Sequence, residues 1–199
     1  QVVVTGRRAA ILEAACASIP APKPVRSYAT DVSDRAQVDD MVAWVRNEYG
    51  PVDILVNNAG VNVVKRRLAE LAPEDWDYIM QVNATGAYNV IHAVLPDMRA
   101  RRDGVIINVS SLAGVRPAVL GGAAYSASKH ALSALTSVLA QEEKDNGIRA
   151  TNLCPGEVNT PILDARPVKV SDEHKAQILQ PEDVAAAIVF IATLPPRAH

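Results

Sequence analysis

Two hydrophobic patterns alternate along the chain. Short, continuous apolar or β-branched runs fall at Val2-Val3-Val4, Val25 to Thr30, Ile54-Leu55-Val56, Val105 to Val109 and Ile148 to Leu153. Runs of this length suit strands of a parallel sheet that is covered on both faces. Between them, apolar residues recur at spacings of three and four. Over 34–48 the stripe is Val38, Met41, Val42 and Val45, with Ser33 placed as N-cap. A helix over 73–82 starts on Pro73, which a first turn tolerates. Residues 84–101 align Ala84, Ala87, Tyr88, Ile91 and Leu95; residues 125–145 align Ala131, Leu132, Leu135, Val138 and Leu139. A last apolar helix over 181–193 follows from Pro181. Strand and helix in turn predict an α/β, Rossmann-like, doubly wound parallel sheet. No repeat, low-complexity stretch or linker interrupts it, so 1–199 reads as a single domain.

Composition narrows the partners. The chain has 199 residues, 49% of them hydrophobic, which supports one sizeable core. A net charge of −2 exerts no global pull on nucleic acid or an anionic membrane. The basic clusters Lys65-Arg66-Arg67 and Arg99, Arg101, Arg102 are short and lack interleaved aromatics. They read as solvated charge, and no nucleic-acid partner is expected. No apolar run reaches the ~18 residues of a membrane span, and no signal peptide is visible. Cys16 and Cys154 form no metal-like pair and read as buried thiols of a reducing, cytoplasmic protein. His92, His130, His174 and His199 show no zinc spacing, so no metal is expected.

Chemistry enters at Tyr125 and Lys129, which a helix sets one turn apart on one face. A phenol titrates near pH ~10, too high for a base at neutral pH, and a nearby ammonium lowers that value. Such a pair suits proton transfer to or from an alcohol oxygen. It is also a common surface pattern, so its surroundings decide. Ile106-Ile107-Asn108-Val109-Ser110-Ser111 is a strand ending in two hydroxyls, at the strand end where parallel sheets bind ligands. These serines either meet a substrate oxygen or only turn the chain. Asn57-Asn58-Ala59-Gly60 ends another strand, as a close approach to a ligand or as an ordinary Asx turn. Asn83, in a helix interior where asparagine is mediocre, is either a polar hinge or merely tolerated.

Together these residues resemble the short-chain dehydrogenase/reductase family along nearly the whole chain. Asp31-Val32, Asn57 to Gly60, Asn83, Ser111, Tyr125 with Lys129, and Pro155-Gly156 followed by Thr160 stand in the family's order and near its spacing. The loop from Ser111 to Tyr125 is about one residue longer than usual. The resemblance implies that Tyr125 is the general acid in reduction and the base in oxidation. Lys129 lowers the tyrosine pKa and holds the nicotinamide ribose, Ser111 orients the substrate oxygen, and Asn83 holds a water linking Lys129 to solvent. It implies further that Asp31 and Val32 receive adenine, and that Asn57, Ala59 and Gly60 line the cofactor cleft. Pro155 and Gly156 belong to the same site, and Thr160 and the backbone near Val158 grip the carboxamide. The substrate implied is a small carbonyl or alcohol. Helices 84–101 and 125–145 resemble the family's oligomer interface, so a homodimer or homotetramer is expected. A pocket is expected from Val115 to Ala123 and Asn159 to Leu179, with Val119, Leu120, Ile162 and Leu163 as its apolar residues. The alternative is a non-catalytic nucleotide-binding or scaffold protein on the same fold, which has no need of Asn83, Ser111, Tyr125 and Lys129 together.

The cofactor expected is NADP(H), with NAD(H) possible. Gly6 takes the place where an acid would bind a ribose 2′-hydroxyl, and Arg7 and Arg8 follow to pair with a 2′-phosphate, unless they are only polar helix-start residues. After Gly6 no glycine occurs before Gly50, so the Gly-rich dinucleotide loop is missing from this sequence. The reading expects the chain to start at the family's second strand, with about thirty upstream residues, including the first strand, belonging to the functional protein. The C-terminus likewise looks early. Without a central strand, two half-sheets with unpaired inner edges are expected.

Overall fold

The predicted runs become five strands, and all of them pair in parallel. A computed structural model describes residues 1–198, which leaves His199 outside the described residues. β1 (Val3–Gly6) pairs with β2 (Arg26–Ala29) in one sheet. β3 (Ile54–Asn57), β4 (Gly104–Val109) and β5 (Ile148–Leu153) form a second sheet in which β4 is central. Every β4 residue is buried, consistent with an apolar run that only Asn108 interrupts. β3, on the edge, leaves Ile54 and Val56 partly exposed. The architecture is an α/β, Rossmann-like fold with parallel strands.

Seven α-helices cross between or flank the strands among the described residues: α1 (Ala9–Ser18), α2 (Arg35–Tyr49), α3 (Pro73–Met80), α4 (Gly86–Arg101), α5 (Ala123–Glu142), α6 (Asp172–Lys175) and α7 (Pro181–Thr193). α1 and α6 escape the periodicity reading. α1 buries none of its residues, so it carries no one-sided apolar stripe to detect, and α6 is a single turn. The N-cap of α2 is Asp34 rather than Ser33. The Asp34 carboxylate accepts from the Ala36 and Gln37 amides, whereas the Ser33 hydroxyl turns back to Asp31 at 2.6 Å. The main core gathers Val38, Met41 and Val42 of α2 with Val90, Ile91, Val94 and Met98 of α4. Ile106, Leu139 and Ile148 complete it from β4, α5 and β5. A fully buried side chain such as Ile106 contributes about 1.5–3 kcal/mol relative to exposure.

Two basic clusters are less solvated than their composition implies. Arg99 pairs with Glu143, whose side chain is fully buried, and Arg101 donates to the Val52 carbonyl at 2.9 Å. Arg102 donates to the Asp145 carbonyl. These arginines fasten the end of α4 to neighbouring loops. In the other cluster Arg66 is buried at 6% exposure, while Lys65 and Arg67 face outward.

The helices expected over 73–82 and 84–101 are one continuous helical run, joined by a π-helical turn over Gln81–Thr85. Single π turns often mark functional positions. This one buries Asn83 completely. Its amide oxygen accepts from the Val61 N–H at 2.7 Å; its amide nitrogen donates to the Val61 carbonyl and to Ser128 Oγ, each at 3.0 Å. One side chain thus holds both backbone groups of the residue after Gly60 and ties them to α5. Asn83→Ala leaves those groups unpaired, each at a cost of about 1–3 kcal/mol. We expect a loss on the order of 2–4 kcal/mol, read from a lower urea midpoint at unchanged m-value.

Candidate active site

The strand ends set the site. Asn57, Asn108 and Asn152 occupy one register row across β3, β4 and β5. Asn57 donates to Asn108 Oδ1, and Asn108 donates to Thr136 of α5, both at 2.8 Å. Asn152 donates to Ser133 of α5 at 2.9 Å. This row fixes α5 over the carboxyl ends of the strands. It also places the Asn57 side chain inside the protein, not on a cleft wall, and Asn58 takes the wall position.

Beyond the row opens a cleft of about 940 Å³. Asn58, Ala59 and Gly60 line it from the loop after β3, and Ser111 from the loop after β4. Tyr125 and Lys129 line it from α5; Pro155, Gly156, Val158 and Thr160 line it from the segment after β5. Of the two serines, Ser110 spends its hydroxyl on the Lys129 carbonyl at 3.1 Å and on Ser133 at 3.2 Å. Ser111 caps a short 3₁₀ turn, its hydroxyl accepting from Ala113 N–H at 3.1 Å. That turn lies directly on α5. A Cβ on Gly114 would stand 2.5 Å from Ser110 Oγ and 2.7 Å from the Lys129 carbonyl, so only glycine fits.

Lys129 is 3% exposed. Its ammonium donates to the Val109 carbonyl at 2.8 Å and lies 5.8 Å from the centre of the Tyr125 ring. Burial pushes its pKa down to about 8, against a smaller upward pull from Cys154. Tyr125 is half-buried, and its pKa stands above the ordinary value. Burial is the dominant cause, and the Ser111 hydroxyl and the Arg66 guanidinium pull the value back. The expected depression by Lys129 is not found: desolvation of the phenolate dominates, and the groups that lower the value are Ser111 and Arg66.

The other expected site residues divide. Arg8 lines the cleft, and no carboxylate pairs with it among the described residues. Arg7 sits over the Tyr78 ring at 5.9 Å from its centre. Asp31 turns the chain into α2, accepting from the Ser33 N–H at 2.9 Å. Val32 packs under Gly86, where a Cβ would come within 2.7 Å of it. Asn83 stands behind Gly60, whose missing Cβ would lie 3.8 Å from Asn83 Oδ1 and 3.5 Å from Lys129 Nζ. Leu120, Ile162 and Leu163 reach the cleft as expected of pocket residues, but Val119 is 75% exposed and belongs to a separate groove with Leu68 and Pro117. Sequence reasoning missed Arg66, buried on the cleft wall, because its flanking Lys65 and Arg67 give it the look of a surface cluster. No group of three metal-ligating side chains assembles among the described residues, and no helix among them is long and apolar enough to cross a membrane.

Comparison with known proteins agrees with this architecture. A family model for short chain dehydrogenases matches residues 1–170. The chain is 36% identical over 179 residues to the 3-oxoacyl-[acyl-carrier-protein] reductase FabG of Thermotoga maritima, covering 86% of this chain and 71% of that protein. It is 37% identical over 172 residues to the acetoacetyl-CoA reductase of Rhizobium meliloti, covering 83% and 70%. Among solved structures, the closed form of a serine dehydrogenase complexed with NADP+ superimposes with a TM-score of 0.88 at 30% identity, over 100% of this chain and 81% of that one. A metagenomic short-chain oxidoreductase in complex with NADP gives a TM-score of 0.83 at 31% identity, again over 100% and 81%. The chain therefore belongs to the short-chain dehydrogenase/reductase family and is an oxidoreductase with that family's Rossmann fold.

Proposed function

We propose that the protein transfers hydride between NADP(H) and the carbon of a small carbonyl or secondary alcohol, with Tyr125 as the proton donor and acceptor. The observation that carries this reading is the convergence of a phenol, a hydroxyl and a buried ammonium on one cleft. The residues present fit a phosphorylated nicotinamide cofactor: Arg8 offers the cleft a guanidinium without a carboxylate partner, and Gly60 gives it bare backbone beside Lys129. Arg8, with Arg7 beside it, would hold a 2′-phosphate; Ala59, Gly60, Pro155, Gly156, Val158 and Thr160 would line the nicotinamide end. When bound, the cofactor supplies or accepts the hydride.

The protein's own work is protonic and geometric. Ser111 donates to the substrate oxygen and orients it. In reduction Tyr125 passes its phenolic proton to that oxygen as negative charge grows there. A pKa raised by burial keeps the phenol protonated at neutral pH, the form reduction needs. Lys129, held by the Val109 carbonyl, stabilises the phenolate that remains. In oxidation the proton returns to Tyr125. Asn83 keeps the loop at Val61 against α5, so that the two walls stay in register. The apolar side chains Leu120, Ile162 and Leu163 favour a modest hydrophobic substrate. Relatives named as 3-oxoacyl and acetoacetyl-CoA reductases make 3-oxoacyl thioesters the first substrates to assay. α4 and α5 leave Tyr88 and Val138 exposed, which supports a homodimer or homotetramer formed along those helices.

Three measurements test the reading. Tyr125→Phe is expected to lower turnover by at least ~10²-fold while NADPH still quenches or shifts fluorescence as in the parent; parental turnover would refute the assigned role. The rate of carbonyl reduction is expected to hold below pH 8 and to fall above it. Lys129 loses its proton as pH rises through about 8, and with it the charge that stabilises the phenolate. A profile flat to pH 10 would contradict this. In paired titrations NADPH is expected to bind more tightly than NADH, and Arg8→Ala to erase most of the difference; tighter binding of NADH would sink the cofactor choice.

A further inference from the structure

Arg66 stands apart from every other arginine in the chain. It is buried, and no carboxylate pairs with it among the described residues. Its guanidinium instead serves three carbonyls from three separate segments. Nε donates to Val63 at 2.8 Å in the loop after β3, and one terminal nitrogen donates to Leu120 at 3.0 Å in the loop before α5. The other terminal nitrogen donates to Ala165, at the end of the 3₁₀ segment Pro161–Ala165. These segments wall the cleft that holds Ser111, Tyr125 and Lys129. Asn62 adds a second tie between two of them, donating to the Gly121 carbonyl at 3.0 Å. Gly122 makes the approach possible. It takes a φ of +81°, and a Cβ there would lie 2.7 Å from the Arg66 carbonyl oxygen and 2.8 Å from Arg66 Cβ.

We propose that Arg66 is a positioning residue, a single buried guanidinium that ties together the three loops walling the cleft and keeps a permanent positive charge beside the Tyr125 phenol. The inference rests on the reading of Tyr125 as proton donor and acceptor. An isolated cation is costly to bury, and carbonyl dipoles solvate it without cancelling its charge. That charge acts on the phenol and favours phenolate. Lys129 cannot do the same at every pH, because its own ammonium deprotonates near 8. Burial first and Arg166 second pull the Arg66 guanidinium below its ordinary pKa, but that ordinary value is so high that the group stays protonated throughout the working range.

The surrounding charges leave this role to Arg66. Lys129 faces Tyr125 from the same helix, and Cys154 at the end of β5 faces Lys129. Arg166, from the segment after β5, faces Arg66 but is paired with Glu157 at 3.1 Å. Glu157 also takes His174 at 2.8 Å. Arg116 lines the cleft from the loop after β4 and is exposed to solvent. Among the described residues no carboxylate is one of the groups that shift the phenol.

Two variants of the intact protein separate charge from tie. In alcohol oxidation, kcat/KM rises with pH as Tyr125 becomes phenolate. Arg66→Gln removes the charge, so the rise is expected to move up by about one pH unit. Arg66→Lys keeps a cation but cannot reach three carbonyls, so KM is expected to increase about tenfold. A rise that stays in place in Arg66→Gln overturns the charge role, and an unchanged KM in Arg66→Lys overturns the tie. Far-UV circular dichroism checks folding. If Arg66→Gln does not fold, Arg66→Lys decides alone, and a parental KM overturns the proposal. Tyr125→Phe keeps the two readings distinct: an active Tyr125→Phe refutes the Tyr125 assignment itself, whereas an inactive one leaves the outcome to Arg66.

Discussion

A row of asparagines at the strand ends holds the site in place. Asn57 on β3 bonds Asn108 on β4, and Asn108 and Asn152 bond Thr136 and Ser133 on α5. Buried amides are expensive unless paired, so the bonds from Asn108 and Asn152 restrict α5 to a narrow set of positions, although Asn152 Oδ1 is itself left without a partner. α5 carries Tyr125 and Lys129, and the strand ends carry Asn58 and Ser111. The register of these four groups is therefore set by polar pairing beneath them. The apolar core formed by α2, α4, β4, α5 and β5 stabilises the layers, but hydrophobic contact is not directional enough to set that register.

Electrostatics at the cleft are governed by burial first and by charge second. Tyr125 and Lys129 are both pushed toward their neutral forms, the phenol up and the ammonium down. A pair that shared its surroundings with bulk water would behave in the opposite way. The Ser111 hydroxyl and the Arg66 guanidinium act against this trend at the phenol, and the Val109 carbonyl gives the ammonium a partner. The site thus keeps a protonated phenol at neutral pH and holds charge nearby for the moment that proton leaves.

Much of this was legible in the residues alone. β1, β3 and β4 follow from short apolar runs, and β2 and β5 from runs that polar residues interrupt; α2, α4 and α5 follow from spacings of three and four, because burial on one face leaves a periodic trace, and α7 from Pro181 and its apolar composition. α1 left none, since nothing in it is buried. Asn83 was visible as an oddity, an asparagine inside a helix, but the π turn that buries it depends on contacts with Val61 and Ser128 far away in sequence. Asn57 was read as a cleft residue because its neighbours are. A strand alternates its faces, so the residue one position on takes the cleft and Asn57 faces the core. Arg66 was hidden by composition: flanking charges mark a solvated patch unless the three carbonyls that receive it are known.

The π turn has a further consequence for how this helix tolerates change. It fits one more residue than a regular turn into about the same rotation, so the extra residue is absorbed without turning α4 relative to α3. Deleting one residue from 81–85 would let the run close into a regular α-helix, with Val90, Ile91 and Val94 still facing α2. What would be lost is the placement of Asn83, whose bonds to Val61 and Ser128 join the loop after β3 to α5. Gene-level shortening here is thus a lesion of the cleft alone: helix and core would survive while the two walls lost their common anchor.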